Sequence, residues 1–306
     1  MSFSFSVKEE IAKSISNKDK SKACLYGMLM FCKILSESQI FIQTENNIVA
    51  EKFTEMVTGV LKDETAVRQS ITSKKNNIEL YSLSIDDKDN IKRLSDYYNY
   101  DFSSGVRAID LKAIGKRKML SCFVAGVFLA CGSVNDPLKE YHLEFVIPSL
   151  ELSNNLMEIL LEVGIVVKHT ERKNSHILYI KESENIEDML TYMGAPKSSL
   201  EIMNVKILKD VRNKINRAVN CDNANIEKTL KASEKQIASI ELIDEKMGIE
   251  NLPEELRDIA ILRLENPDWN LKELAENLNP PISRSGANHR LARINKIAEE
   301  LKIKTV

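Results

Sequence analysis

The residues best equipped for specific chemistry lie near the C-terminus, in the run SRSGANHRLARINK (Ser283 to Lys296). At about 100° per residue, Ala287, Leu291, Ile294, Ala298 and Leu301 share one face of a helix, the face a core buries. The opposite face carries Ser285, His289, Ala292 and Lys296, flanked by Asn288 and Arg293, with Arg284 and Arg290 bordering the apolar stripe. Small Ser285 and Ala292 permit close approach to base edges, and Asn288 and His289 can hydrogen-bond to them. Arg284, Arg290, Arg293 and Lys296 suit phosphates or guanine. With Lys272 and Ser283, these residues form the candidate contact set of a helix laid in the major groove of duplex DNA. The alternative is a three-helix bundle whose last helix is simply basic and solvated.

Thiols are the other reactive group. Five cysteines, Cys24, Cys32, Cys122, Cys131 and Cys221, form no C-x-x-C pair and mostly lie in apolar, helix-like runs. Reduced, buried thiols are expected rather than a zinc site or disulfides. In FVAGVFLACGSVND (Phe123 to Asp136) an apolar helix passes through Gly126 to Gly132, and Cys131 stands just before the second glycine. Aligned with SKACLYGMLMFCKIL (Ser21 to Leu35), Gly27 pairs with Gly126 and Cys32 with Cys131, at the same offset of 99 residues. That offset points to an internal duplication.

The surrounding elements repeat in the same way. After the Ser21 to Leu35 helix, SQIFIQTE alternates like a strand, and Glu51 to Lys62 is helical. TAVRQSITS and NNIELYSLSI read as strands, and Asp87 to Tyr97 as an acidic helix. Beyond the basic stretch Lys112 to Lys118 come the helix through Gly126, the strand YHLEFVIPS and a helix from Leu152 to Val163. Strands near Ile165 to Thr170 and His176 to Ile180, then a helix over Ile186 to Met193, complete the second round. MGAPKSS (Met193 to Ser199) reads as a turn at a domain edge. NVKILKDVRNKINR, with five Lys/Arg against one Asp, reads as a solvated basic helix that VNCDNAN breaks, before an amphipathic helix over Thr229 to Met247. The expected domains are 1–110 and 111–198 for the two repeats, 199–228 for a basic helical linker, and 229–306 for an all-α domain.

Punctuation is clearest in that last domain. Pro253 suits the first position of a helix ending before Asn266-Pro267. Asn270 can cap the next helix, with Glu273 as its capping-box partner and Trp269 and Leu274 as a hydrophobic staple. Pro280-Pro281 ends that helix, and Ser283 or Ser285 caps the third. From Ser239 to Asn279 there are four basic and eleven acidic residues; from Pro280 onward there are six basic and two acidic. A basic helix beside an acidic scaffold engages a polyanion in one orientation.

The whole chain, 306 residues with net charge -2, does not advertise nucleic-acid affinity, so any such function must reside in a local patch. The polar N-terminus MSFSFSVKEEIAK is no signal peptide, and no apolar run approaches the ~20 residues needed to span a bilayer. A cytoplasmic, nucleoid-associated protein with no membrane contact is expected.

The duplicated helices resemble the LAGLIDADG motif of homing endonucleases, Val124 to Gly132 covering one copy and Leu25 to Lys33 the other. The resemblance places Cys32 and Cys131 where that family carries the acidic ligands of its divalent ion. Thiols are poor ligands for Mg²⁺, and without the ion cleavage loses its Lewis acid and activated water. The chain as a whole resembles the WhiA family of bacterial transcriptional regulators. FVAGVFLACGSVNDPLKEYHLEF, RNKINRAVNCDNANIEKT and LKELAENLNPPISRSGANHRLARIN carry that likeness. It implies an α+β N-terminal domain with two LAGLIDADG-like repeats, followed by an all-α helix-turn-helix domain. It also implies a sequence-specific DNA-binding regulator of sporulation or cell division, with no catalytic residues, metal or cofactor. Implied partners are double-stranded promoter DNA, RNA polymerase or a sigma factor, and in some lineages a WhiB-type protein. Two competing readings remain: an endonuclease with metal ligands displaced to Asp136 or Glu144, and a polymerase or sigma-factor adaptor docking through acidic surfaces at Glu182 to Asp188 and Glu241 to Glu255.

Overall fold

The computed structural model describes residues 2–73, 78–102 and 107–303. The first two residues of the expected strand NNIELYSLSI lie outside them. The chain divides into two compact units, Met1–Lys209 and Asp210–Val306.

The first unit opens with α1 (Phe3–Ser14), which the sequence reading passed over; it buries Val7, Ile11 and Ala12 on one face. The first repeat follows as α2 (Lys18–Met30), β1 (Ile34–Leu35), β2 (Ile40–Thr44), α3 (Asn47–Leu61), β3 (Arg68–Ser73), β4 (Glu79–Ile85) and α4 (Lys88–Tyr98). The second runs α5 (Leu111–Ile114), α6 (Leu120–Cys131), β5 (Gly132–Val134), β6 (Leu143–Ile147), α7 (Leu150–Glu162), β7 (Lys168–Arg172), β8 (Ser175–Ile180) and α8 (Ser183–Tyr192). Two antiparallel sheets result, ordered β1-β2-β4-β3 and β5-β6-β8-β7. The identical order is the duplication expected from the paired glycines. The expected helix over Ser21 to Leu35 stops at Met30, because Ile34 and Leu35 pair with Phe41 and Ile40 as a short edge strand.

The local causes are plain. Ile40, Ile42 and Thr44 alternate inward along β2. Asn46, Asp87 and Ser149 cap α3, α4 and α7 by accepting from Val49, Asn90 and Leu152 N–H groups. The centre of the unit is the contact of α2 with α6. A Cβ on Gly27 would meet the Phe123 carbonyl oxygen and lie 2.9 Å from Val127 N; one on Gly126 would meet the Cys24 carbonyl. Tyr26 fastens the seam, its ring 5.7 Å from Phe123 and its hydroxyl accepting from Asp110 N at 3.0 Å.

Helix α9 (Pro196–Met247) is a correction to the sequence reading twice over. It begins inside the expected turn, of which Gly194 alone takes a left-handed φ of 91°, and VNCDNAN does not break it. No glycine or proline stands between Lys197 and Met247. Asn and Asp cost only a few tenths of a kcal/mol each in a helix, too little to end one. Glu10 of α1 caps its first turn, accepting from Lys197 N at 2.8 Å and Ser198 N at 3.0 Å.

In the second unit, α10 (Glu254–Glu265), α11 (Leu271–Glu276) and α12 (Arg284–Ile303) pack with Ile240 and Ile243 of α9 around one core that includes Leu256, Leu274 and Leu291. Pro253 stands at the N-cap of α10, one residue before the position expected for it.

Candidate nucleic-acid interface

The helix-turn-helix is assembled by its caps. Asn270 accepts from Lys272 N at 2.8 Å and Glu273 N at 3.2 Å, while Glu273 accepts from Asn270 N at 2.7 Å, forming the expected capping box. Between α11 and α12 the chain turns back with Ile282 N donating to the Ala275 carbonyl at 3.0 Å. Ser283, not Ser285, caps α12, accepting from Gly286 N at 3.1 Å.

One residue that the sequence reading counted only as charge organises this corner. Arg263 is 2% exposed, and its Nη1 donates to the carbonyls of Trp269 (2.7 Å), Asn266 (3.3 Å) and Pro267 (3.4 Å). It ties down the loop from which Asn270 starts α11. The signal was an arginine two residues before Glu265 and the turn Asn266-Pro267, where the last carbonyls of a helix seek donors.

On α12, Ala287, Leu291, Ile294 and Ala298 are buried as the periodicity demands, and Leu301 packs partly against the same core. Ser283, Arg284, Ser285, Asn288, His289, Arg293 and Lys296 are exposed along one side, with Lys272 exposed at the start of α11. Arg290 differs: it is half-buried, and its Nη1 donates to the Glu255 carbonyl at 3.3 Å. Arg293 meets the Glu255 carboxylate at 2.5 Å, and Lys272 faces Glu276 at 3.7 Å. Among the described residues Arg284 and Lys296 have no ion-pair partner.

At the nuclease-like positions the donor set is wrong for a hard divalent cation. Cys32 is buried and donates to the Ile34 carbonyl at 2.9 Å; Cys131, half-buried, ends α6. Burial pushes the Cys32 thiol up to about 11 and the Cys131 thiol to about 12, so both stay protonated at neutral pH. The chain supplies its own cations there. Lys8 donates to the Leu129 carbonyl at 3.4 Å, and Arg107 to the Cys32 carbonyl at 2.7 Å. Asp136 is spent on the turn, accepting from Leu138 N at 2.9 Å, and Glu144 faces His142 at 3.2 Å. No group of three metal-binding side chains forms among the described residues. These residues do not fit the divalent ion of a homing endonuclease.

The acidic run on α8 is largely engaged. Glu182 pairs with Lys168 at 2.7 Å, and Glu184 pairs with Lys206, which holds its carboxyl down to about 2. Glu187 is 7% exposed.

Comparison with known proteins decides the kinship. The model of the WhiA LAGLIDADG-like domain matches residues 120–212, and that of the WhiA C-terminal HTH domain matches residues 215–298. Proteins named "Probable cell division protein WhiA" from Clostridium botulinum (strain Hall) and Clostridium perfringens (strain SM101) are 37% and 38% identical, each aligned over 99% of both chains. The chain belongs to the WhiA family. The crystal structure of full-length DUF199/WhiA from Thermotoga maritima is similar throughout, with 26% identity, a TM-score of 0.57, and 98% and 99% of the two chains covered. The two repeats of the first unit are thus the LAGLIDADG-like part of a WhiA fold, and the last helices are its helix-turn-helix. Among the described residues no helix is long and apolar enough to cross a membrane.

Proposed function

We propose that this WhiA-family chain is a sequence-specific DNA-binding transcriptional regulator that does not cleave DNA. The observation that carries the reading is the outer side of α12, where Ser285, Asn288, His289 and Lys296 stand exposed along one face of a helix whose other face is fully packed. A helix presented this way offers two hydrogen-bonding side chains to base edges and cations to the flanking phosphates. The name of the clostridial relatives favours genes of cell division as targets; sporulation genes, RNA polymerase or a sigma factor, and a WhiB-type partner extend the same reading. The chain then acts in the cytoplasm, on the nucleoid.

The donor chemistry supports the loss of cleavage. Protonated thiols at Cys32 and Cys131, beside Lys8 and Arg107, offer a divalent cation neither oxygen ligands nor negative charge. Fluorescence anisotropy of the full chain on promoter duplexes, with unlabelled random DNA as competitor, tests the binding. Retention of promoter binding under competition is expected, and equal displacement from every duplex would overturn sequence specificity. The same samples incubated with Mg²⁺ should leave supercoiled plasmid intact; nicking lost in Asp136→Asn or Glu144→Gln would restore the enzyme reading.

A further inference from the structure

Next to the start of α12 the second unit opens into a cleft of about 450 Å³. Lys228 and Gln236 of α9, Arg263 of α10, Lys272 of α11 and Arg284 of α12 line it, and no carboxylate does. Four cations and no carboxylate among the described lining residues is unexpected beside Ser239 to Asn279, where acidic residues outnumber basic ones eleven to four, although Lys272 also faces Glu276 at 3.7 Å. Lys228 and Arg284 have no ion-pair partner among the described residues. Behind the cleft Arg263 is 2% exposed and keeps a donor, Nε, without a hydrogen-bond partner among the described residues; the buried Gln236 Oε1 is likewise unpartnered there, but as an acceptor it calls for water or another donor and not for phosphate. Folded chains rarely leave such groups unmatched, and clusters of them mark places where a polar ligand or water completes the network.

We propose that this cleft is a seat for a phosphate group, and that the group belongs to the backbone of the duplex that α12 reads. The inference rests on the DNA-reading role given above. Arg284 supplies a planar fork of donors, and Lys228 and Lys272 supply compact charges, the combination that recognises a phosphate's several oxygens. A recognition helix presents its N-terminal residues to the bases, so a strand backbone passes the cleft at that end. Lys228 lies on α9, before the three helices α10 to α12. Its contact carries the footprint onto α9 and fixes the rotation of α12 in the groove without reading sequence.

The test uses the full chain and follows duplex affinity by anisotropy across a salt series. Lys228→Gln should lower the slope of log K against log salt by about 0.9 and weaken promoter and random duplexes by the same factor, about three- to tenfold. Lys231→Gln, one turn along α9 and outside the cleft, should change neither. Equal effects from both variants, or none from Lys228→Gln in a chain that binds DNA, would overturn the seat and leave the α12 reading intact. A second arm follows the single tryptophan, Trp269, whose carbonyl Arg263 holds, during titration with sodium pyrophosphate. A saturable response lost in Lys228→Gln, with the DNA salt slope unmoved, would assign the cleft to a free phosphate compound and overturn the backbone source. If the wild-type chain binds no duplex, the α12 reading fails; a Lys228-dependent pyrophosphate response then upholds a phosphate seat, and its absence overturns it.

Discussion

Arg293 of α12 reaches the Glu255 carboxylate of α10 at 2.5 Å. Glu255 also accepts, through its carbonyl, from Arg290 at 3.3 Å, so one residue engages two of the cations assigned to DNA. The Arg293 and Glu255 side chains are 45% and 48% exposed, and an ion pair that open is worth ~0–1 kcal/mol. Glu255 therefore does little for stability, while its charge lies beside the surface proposed to meet DNA.

Glu255→Gln should strengthen binding to every duplex, by about two- to fivefold at low salt, since removing one screened surface charge changes the free energy by ~1 kcal/mol or less. The gain should shrink as salt rises, and thermal stability should barely move. Anisotropy at two salt concentrations measures this. An unchanged affinity would mean that Arg293 takes no part in binding.

Asn288 and His289 should set sequence preference, whereas Lys296 should set only strength. Asn288→Ala or His289→Ala is expected to cost ~1–3 kcal/mol on the promoter duplex and much less on random DNA, narrowing the ratio between them. Lys296→Gln should weaken both equally and reduce the salt slope by about 0.9. Competition titrations against a library of single-base variants give the ratios directly. If the preference survives in both alanine variants, α12 is not the reader.

Much of this was legible in the chain. The paired glycines, the capping box and the apolar stripe of α12 all follow from spacing, because caps and periodicity are local rules. What escaped depended on distant partners. Helix α1 matters because Glu10 caps α9, and Lys8 because it meets the end of α6; neither contact leaves a local trace. The break expected at VNCDNAN failed for the opposite reason, a local preference too weak to decide. The bond from Arg290 to the Glu255 carbonyl was not legible either, because periodicity gives a direction but not a distant partner.

The glycine seam between α2 and α6 makes a sharp contrast with a glycine that touches nothing. Gly126→Ala would drive a methyl group into the Cys24 backbone, 2.8 Å from its carbonyl carbon, where no side chain can swing aside. A loss of ~3 kcal/mol or more is expected, at or above the usual upper end for overpacking. Gly59 lies inside α3 with nothing within 4 Å of an added Cβ, so Gly59→Ala should instead gain ~0.5–1 kcal/mol. Urea unfolding followed by tyrosine near-UV dichroism reports on the first unit, where the Tyr26 and Tyr98 rings lie 5.2 Å apart, tilted by 32°. Equal effects from the two alanines would contradict the close helix contact.

Stability of the first unit should depend on alkaline pH in two opposed ways. Burial raises Cys32 from 9.0 to about 11 and Cys131 from 9.0 to about 12, and pushes Cys24 higher still. Above pH 9 the unfolded chain releases these protons and the folded chain keeps them, so their contribution is complete below pH 9 and drains away as pH climbs through their folded values. Burial acts oppositely on Lys8, lowering it from 10.5 to about 8. Between those values the unfolded chain holds the proton that the folded chain has lost, so stability rises with pH across that window. A shallow rise from about pH 8 to 9 should therefore turn into a fall above 9, where these three thiols, with Cys122 raised by burial in the same way, outweigh one lysine. In Lys8→Met the rise should vanish and the fall steepen. Urea midpoints at half-unit steps from about pH 7.5 to 10 resolve the two limbs, and a wild-type curve that climbs monotonically would show that Cys24, Cys32 and Cys131 do not hold their protons in the folded chain.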